Sequence, residues 1–332
     1  MDPAAPPPPA PRRWRRRLLI ALAAALLAPA AFYVVAQVRL RHVPWSVPAA
    51  LRPPAAPPID PARGGLWVRW LGVTGYEVTD GRTVVLLDPT LTRPSGHELL
   101  LPLVSDEGLV AAHVARADAV LVNHAHHDHA LDVPTVARRT GATVFGSPST
   151  LNLCRSRGVP EAQLREARPG DRLTIGTFTV DVRFSRHSDI LGVANPMAGV
   201  VAPDAGRLWF WDFKQDGCLV YRLSAGGATL WFHPTTTYED GGLGGLPAQS
   251  LILGVTGEPL LPDRARAVLG EARPRRVLPT HHDNFLQPLG KGLALMPDLD
   301  LDAALASIEA ASPGVPVWLL DFGQTVWLPP DE

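Results

Sequence analysis

Ala119-Val120-Leu121-Val122-Asn123-His124-Ala125-His126-His127-Asp128-His129 is the stretch on which the fold turns. Its first four residues form a short apolar run, the pattern of a buried strand. Four histidines and one aspartate then follow within six residues. Side chains alternate along an extended chain, so His124 and His126 point the same way. Asp128 and His129 must come from the turn beyond them. Ligand sites of α/β proteins concentrate at the C-terminal ends of strands. Zn²⁺ accepts imidazole nitrogen and carboxylate oxygen, and a catalytic site leaves one position open for water. The competing reading is a solvated His-rich loop.

Outward from this stretch, apolar, β-branched or aromatic runs at 66–71 and 83–87 read as strands. Helical spacing covers 106–116, 133–139, 262–272 and 301–311. Further strands are expected at 143–145, 174–184, 208–213, 219–223, 229–232, 276–278, 315–320 and 324–328. Phe178, Val180, Val182 and Phe184 alternate as in a half-buried strand. Strands cluster early and again after residue 174, with helices interspersed. The class is α/β, two sheets packed together with helices outside.

The chain has 332 residues, 46% of them apolar and 19% charged, enough to bury a large core. A net charge of −1 supplies no field to recruit nucleic acid, so none is expected as a partner. Cys154 and Cys218 are too few for a disulfide framework. They read as buried free thiols, with one bridge as the alternative. Residues 1–17 form a Pro- and Arg-rich tail. Residues 18–38 carry no charge. As a helix they would span about 31 Å, the thickness of a hydrocarbon core. A single-pass anchor is expected, N-terminus cytoplasmic and the domain extracytoplasmic. The alternative is secretion after cleavage near Ala28-Pro29-Ala30. Residues 39–63 read as a Pro/Ala-rich spacer, and the folded domain as 64–332.

The run His124-Ala-His126-His-Asp128-His129 resembles the His-x-His-x-Asp-His signature of the metallo-β-lactamase superfamily. Leu86-Leu87-Asp88-Pro89, Ser185-Arg186-His187-Ser188 and Leu278-Pro279-Thr280-His281 are similar to strand-end motifs of one branch. That branch contains ascorbate-phosphate lactonase-like proteins and N-acyl phosphatidylethanolamine-hydrolysing phospholipase D. The resemblance covers about residues 66–328 and implies a four-layer αββα sandwich. It further implies that His124, His126 and His187 hold one metal, and Asp128, His129 and His281 a second. His282 neighbours His281, and only the resemblance chooses between them. His127 would point away, and Asp88 would orient a ligand histidine or a water.

There is one departure. The family bridges its two metals with a carboxylate after a strand, but here the strand ends in His233-Pro234. An imidazole nitrogen offers one lone pair and cannot bridge as a carboxylate does. His233 is therefore a tentative ligand of one metal, with Asp212, Glu239 or Asp240 as substitutes for the bridge. Two zinc ions are expected, with one as the alternative because the bridging carboxylate is missing, and Mn or Fe as alternative metals.

The function implied is a metal-dependent hydrolase using a metal-activated water, with Asp128 as ligand and proton acceptor. A phosphodiester or phospholipid-like substrate comes first, a lactone or amide second. Gly-Ser-Pro at 146–148 lacks the second glycine of a nucleophile elbow, which argues against a serine hydrolase. The contrasting class is a membrane-tethered binding protein with a degenerate site. Trp209, Trp211 and Trp231 read as core aromatics, with a lipid-binding cleft as the alternative. The sequence is silent on oligomeric state.

Overall fold

The computed structural model describes Arg17 and residues 43–189, 194, 197–297 and 299–331. The chain divides into two compact units, residues 1–41 and 42–332. The apolar run 18–38 lies outside the described residues. Among the described residues no helix is long and apolar enough to cross a membrane. The longest have 11 residues, about half the ~20 that a hydrocarbon core requires. The expected single-pass, extracytoplasmic placement is corrected accordingly.

Seven strands make the first sheet, in the order β13-β1-β2-β3-β4-β5-β6. They are β1 (Leu66–Gly72), β2 (Gly75–Thr79), β3 (Val84–Leu87), β4 (Ala119–Leu121), β5 (Thr143–Gly146), β6 (Leu164–Glu166) and β13 (Thr325–Leu328). β1 to β3 are an antiparallel meander, and β3 to β6 run parallel. Parallel neighbours need crossovers. Helices α1 (Glu107–His113), α2 (His127–Ala130), α3 (Val133–Thr140) and α4 (Pro148–Ser156) lie in those connections. Six strands make the second sheet, in the order β12-β11-β10-β9-β8-β7. They are β7 (Arg172–Ile175), β8 (Phe178–Ser185), β9 (Cys218–Ala225), β10 (Ala228–His233), β11 (Ser250–Gly254) and β12 (Arg276–Thr280). Helices α5 (Pro262–Ala272) and α6 (Leu301–Ala311) complete the described set.

Three apolar clusters separate four layers. Between the sheets lie Val68, Trp70, Tyr76, Leu87 and Leu121 from one side and Phe178, Val182, Tyr221 and Phe232 from the other. The outer face of the first sheet packs Leu86, Val120 and Val144 on Val133 and Val136 of α3 and Leu151 of α4. The outer face of the second packs Trp231, Leu251 and Val277 on Val268 of α5 and Ile308 of α6. Strands covered on both faces explain the unbroken apolar runs of β3, β4 and residues 251–253 of β11, and every residue of the three strands is buried.

Several elements differ from expectation. Residues 208–213 do not form a strand: Phe210–Asp212 is a single 3₁₀ turn. Asp212 there accepts a hydrogen bond from Trp209 N at 3.0 Å, a side-chain bond that competes with a strand ladder. Residues 315–320 give only an isolated bridge from Val317 to Val277. The 174–184 run is divided by the Gly176-Thr177 turn between β7 and β8, and Phe184 at its end is 44% exposed. Part of the expected spacer packs onto the fold. Val47 is buried, Trp45 N donates to Leu293 O at 2.9 Å, and Arg52 pairs with Asp321 at 2.6 Å.

Candidate metal centre

Four strand ends converge. Asp88 follows β3, the His124–His129 run follows β4, His187 lies two residues beyond β8, and His281 follows β12. Asp88 anchors the β4 loop by accepting from Asn123 N at 2.7 Å. The loop then closes into α2 with His126 as its N-terminal flank, and His129 N and Ala130 N both donate to His126 O. That single turn swings Asp128 and His129 toward the side already faced by His124 and His126.

Two ligand groups result. One nitrogen from each of His124, His126 and His187 forms a set whose atoms all lie within 4.8 Å of one another. Asp128, His129 and His281 form a second set under the same limit. The sets adjoin, since the His124 and His129 rings are 4.0 Å apart. His281 Nε2 lies 3.2 Å and His129 Nε2 3.7 Å from Asp128 Oδ2.

The surroundings fix which nitrogen faces inward. His124 Nδ1 lies 2.6 Å from Asn123 Oδ1, His187 Nδ1 2.5 Å from Ser188 O, and His129 Nδ1 2.7 Å from Asp88 Oδ2. A histidine whose Nδ1–H is held by an oxygen presents an Nε2 lone pair, the arrangement found in metal sites. Thr74 Oγ1 donates to Asp88 Oδ2 at 3.1 Å and completes the cradle. Burial, with His129 second, holds His124 well below the usual histidine range. Burial, then His187, pushes His126 down to about 3. Both are thereby neutral, the form that ligates. Burial alone would raise Asp128, but His129, His281 and His127 more than offset it and keep the carboxylate ionised. Five imidazoles and one carboxylate suit a borderline divalent cation. His126 Nδ1 lies 3.0 Å from His124 Nε2, two imidazole nitrogens meeting where a cation would separate them. The residues fit a metal.

Other sequence candidates fall elsewhere. His282 stacks on Trp70 at 4.9 Å and meets Trp45 edge-on at 5.6 Å, so it joins neither group. His127 lies among Phe210, Phe213 and Phe285. His233 is buried with Nδ1 3.0 Å from Thr235 O, and burial pushes it down to about 4. It belongs to neither group among the described residues, and its Nδ1 meets the loop that follows β10. Glu239 and Asp240 are exposed, and Asp212 caps its own turn. None joins the groups, and Asp128 is their one carboxylate among the described residues. Trp209 and Trp211 stack with parallel rings at 6.2 Å on the 3₁₀ turn, and Trp211 is 46% exposed. Cys154 and Cys218 are free and buried. Sequence reasoning gave no role to Thr74, Asn123 or Ser188, whose partners are fixed by strand packing.

Two sheets face to face, with helices outside and paired ligand groups at the strand ends, define the metallo-β-lactamase fold. The chain belongs to the β-lactamase superfamily: the superfamily's domain profile matches residues 83–282. A UPF0173 metal-dependent hydrolase of Cupriavidus taiwanensis is 34% identical over 161 residues, 46% of this chain and 52% of the relative. With a Myxococcus xanthus relative covered to 48%, the chain spans about half the length of these two. One from Anaeromyxobacter dehalogenans is 28% identical over 269 residues, 77% of this chain and 88% of the relative. Among solved structures, a metallo hydrolase of Ignicoccus hospitalis, Igni18, superposes with a TM-score of 0.51 at 18% identity. That match covers 79% of this chain and 98% of the other, and it carries the fold alone.

Proposed function

We propose that this protein is a metal-dependent hydrolase acting on phosphodiesters. The reading rests on one observation: six ligand-capable side chains from three separate parts of the sequence converge as two adjoining groups. His124, His126 and His187 would hold one divalent cation, and Asp128, His129 and His281 another, with zinc the first choice. The relatives from Cupriavidus and Anaeromyxobacter carry the description metal-dependent hydrolase. When bound, the metal supplies Lewis acidity, which makes water acidic enough to deprotonate near neutral pH and polarises an oxygen of the substrate. Asp128 Oδ2 lies 3.2 Å from His281 Nε2, and Oδ1 has His127 Nδ1 at 3.8 Å; this carboxylate would take up the water proton. Asp88 and Asn123 hold the imidazoles in register, and the buried cluster keeps bulk water from screening them.

Charge balance supports an anionic substrate over a neutral lactone. Two divalent cations facing only Asp128, with Asp88 behind His129, leave a buried site with two positive charges in excess. A phosphodiester places its negative charge there at a gain, and a lactone brings none. The test uses the full chain with Zn²⁺ or Mn²⁺ on a chromogenic phosphodiester and a chromogenic lactone. Phosphodiester turnover that His126→Ala abolishes is the expected result. Faster lactone turnover overturns the substrate class. Turnover unchanged in His126→Ala overturns the site. Two bound ions with no turnover on either substrate favour a binding protein built on the same fold.

A further inference from the structure

We infer that Arg93, remote from the ligand groups in sequence and absent from both, is a positioning residue for the Asp128–His129–His281 group, acting through Asp283 and the Val73-Thr74 turn. This deepens the metal reading above and rests on it.

Arg93 lies on the loop after β3, which Asp132 pins by accepting from Leu91 N and Thr92 N at 2.7 Å each. Its guanidinium pairs with Asp283 at 2.5 Å, and the two side chains are 2% and 0% exposed. Such a pair offers poor net stability, because taking both charges out of water costs about as much as their attraction returns. Fixed geometry is the better account, and the connections supply it. The second Asp283 oxygen accepts from Val73 N at 2.9 Å. Val73 O then accepts from His281 N at 3.1 Å and from Thr280 Oγ1 at 2.8 Å. The adjoining Thr74 Oγ1 lies 3.1 Å from His129 Nδ1 and donates to Asp88. One short turn therefore holds the backbone of one ligand and the ring of another, and Arg93 neutralises the carboxylate that holds the turn.

Backbone strain shows why a clamp is needed. Val73 and His281 both have positive φ, 51° and 63°. Non-glycine residues persist there only where their surroundings impose it. Gly72 carries the same logic. Its φ is 91°, and a Cβ there would collide with Arg93 Nη2. Only glycine lets the strand end pass beside the guanidinium.

The test is metal uptake, read by chelator competition with Zn²⁺ and by the visible spectrum with Co²⁺. The proteins compared are wild type, Arg93→Lys, Arg93→Met and the double variant Arg93→Met/Asp283→Asn. The side-chain amide that Asp283→Asn introduces has one acceptor oxygen, and without the guanidinium nothing fixes that oxygen toward Val73 N. The double variant also buries no unpaired charge, so it decides if Arg93→Met does not fold. Expected is a 10–100-fold loss of affinity for one of two ions, the size seen when a group supporting a ligand is removed. The other ion stays bound, and Arg93→Lys recovers most of the loss. Wild-type affinity for both ions in the folded double variant overturns the inference and leaves the metal site intact. Fewer than two ions on the wild type overturns the site itself, and the inference with it.

Discussion

Asp88→Asn should cost the second metal through a change of tautomer. Asp88 is fully buried and accepts from both sides: Oδ1 from Asn123 N at 2.7 Å, and Oδ2 from His129 Nδ1 at 2.7 Å and Thr74 Oγ1 at 3.1 Å. An amide has one acceptor oxygen and one donor NH₂, so it cannot serve both sides. With the oxygen on Asn123, the NH₂ faces His129 Nδ1. The imidazole must then move its proton to Nε2, the nitrogen that points toward Asp128 and would bind metal. With the oxygen on His129, the NH₂ opposes Asn123 N–H and leaves a buried donor unpaired. The second choice forfeits a buried hydrogen bond, about 1–3 kcal/mol of folding stability. The first keeps the bonds but weakens the Asp128–His129–His281 group by about 10–100-fold, on the order of 1.4–2.7 kcal/mol. Zinc content after dialysis, chelator competition and ¹⁵N shifts of the His129 ring read the two effects separately. Wild-type affinity for both ions in a folded Asp88→Asn protein would refute the reasoning.

His282 is fully buried and uncharged, and burial pushes it from 6.5 down to about 4. The unfolded chain therefore binds this proton first, so stability rises with pH from about 4 to 6.5 and is flat above. A difference of 2.5 units at about 1.36 kcal/mol each gives about 3 kcal/mol. His282→Phe keeps the ring against Trp70 and should shrink the loss of stability between pH 7 and pH 4.5. Urea unfolding of metal-free protein at both pH values reads this, and an unchanged difference speaks against it. Cys154 and Cys218 are buried, and burial pushes the Cys154 thiol up to about 12. An aromatic disulfide reagent should label neither in native protein and both in denaturant, whereas rapid native labelling would contradict that burial.

The fold was legible wherever a strand or helix showed one clean period. β3 and β4 are unbroken apolar runs because helices or a second sheet cover both their faces. The α5 and α6 ranges match the apolar spacing at 262–272 and 301–311. Illegible elements are those whose reason lies off the segment. β2 reads Gly-Tyr-Glu-Val-Thr, weak as a strand, yet it pairs with β1 and β3 on both sides. α4 begins at Pro148 and is capped by Ser147, so the Gly-Ser-Pro run is a helix start whose cap lies outside any apolar period. At 208–213 the aromatic alternation imitates a strand, but Asp212 turns the backbone on itself.

The site divides along the same line. His124, His126, Asp128 and His129 sit within one strand-end turn, so spacing alone orders them. His187 and His281 needed the resemblance, since nothing near either residue says which partner it will meet. What fixes their use lies in the second sphere of contacts, and this was out of reach. The choice between His281 and His282 shows why. Both follow the same strand, but His281 takes a positive φ that turns its ring to Asp128, and His282 continues into the space between Trp70 and Trp45. That φ depends on a hydrogen bond to Val73, more than 200 residues earlier in the chain. Neighbouring histidines thus acquire opposite environments, one polar and one aromatic, from a turn that neither sequence neighbourhood contains. A ligand motif can state which atoms are available, but only the contacts of its backbone decide which of two adjacent rings enters the cluster.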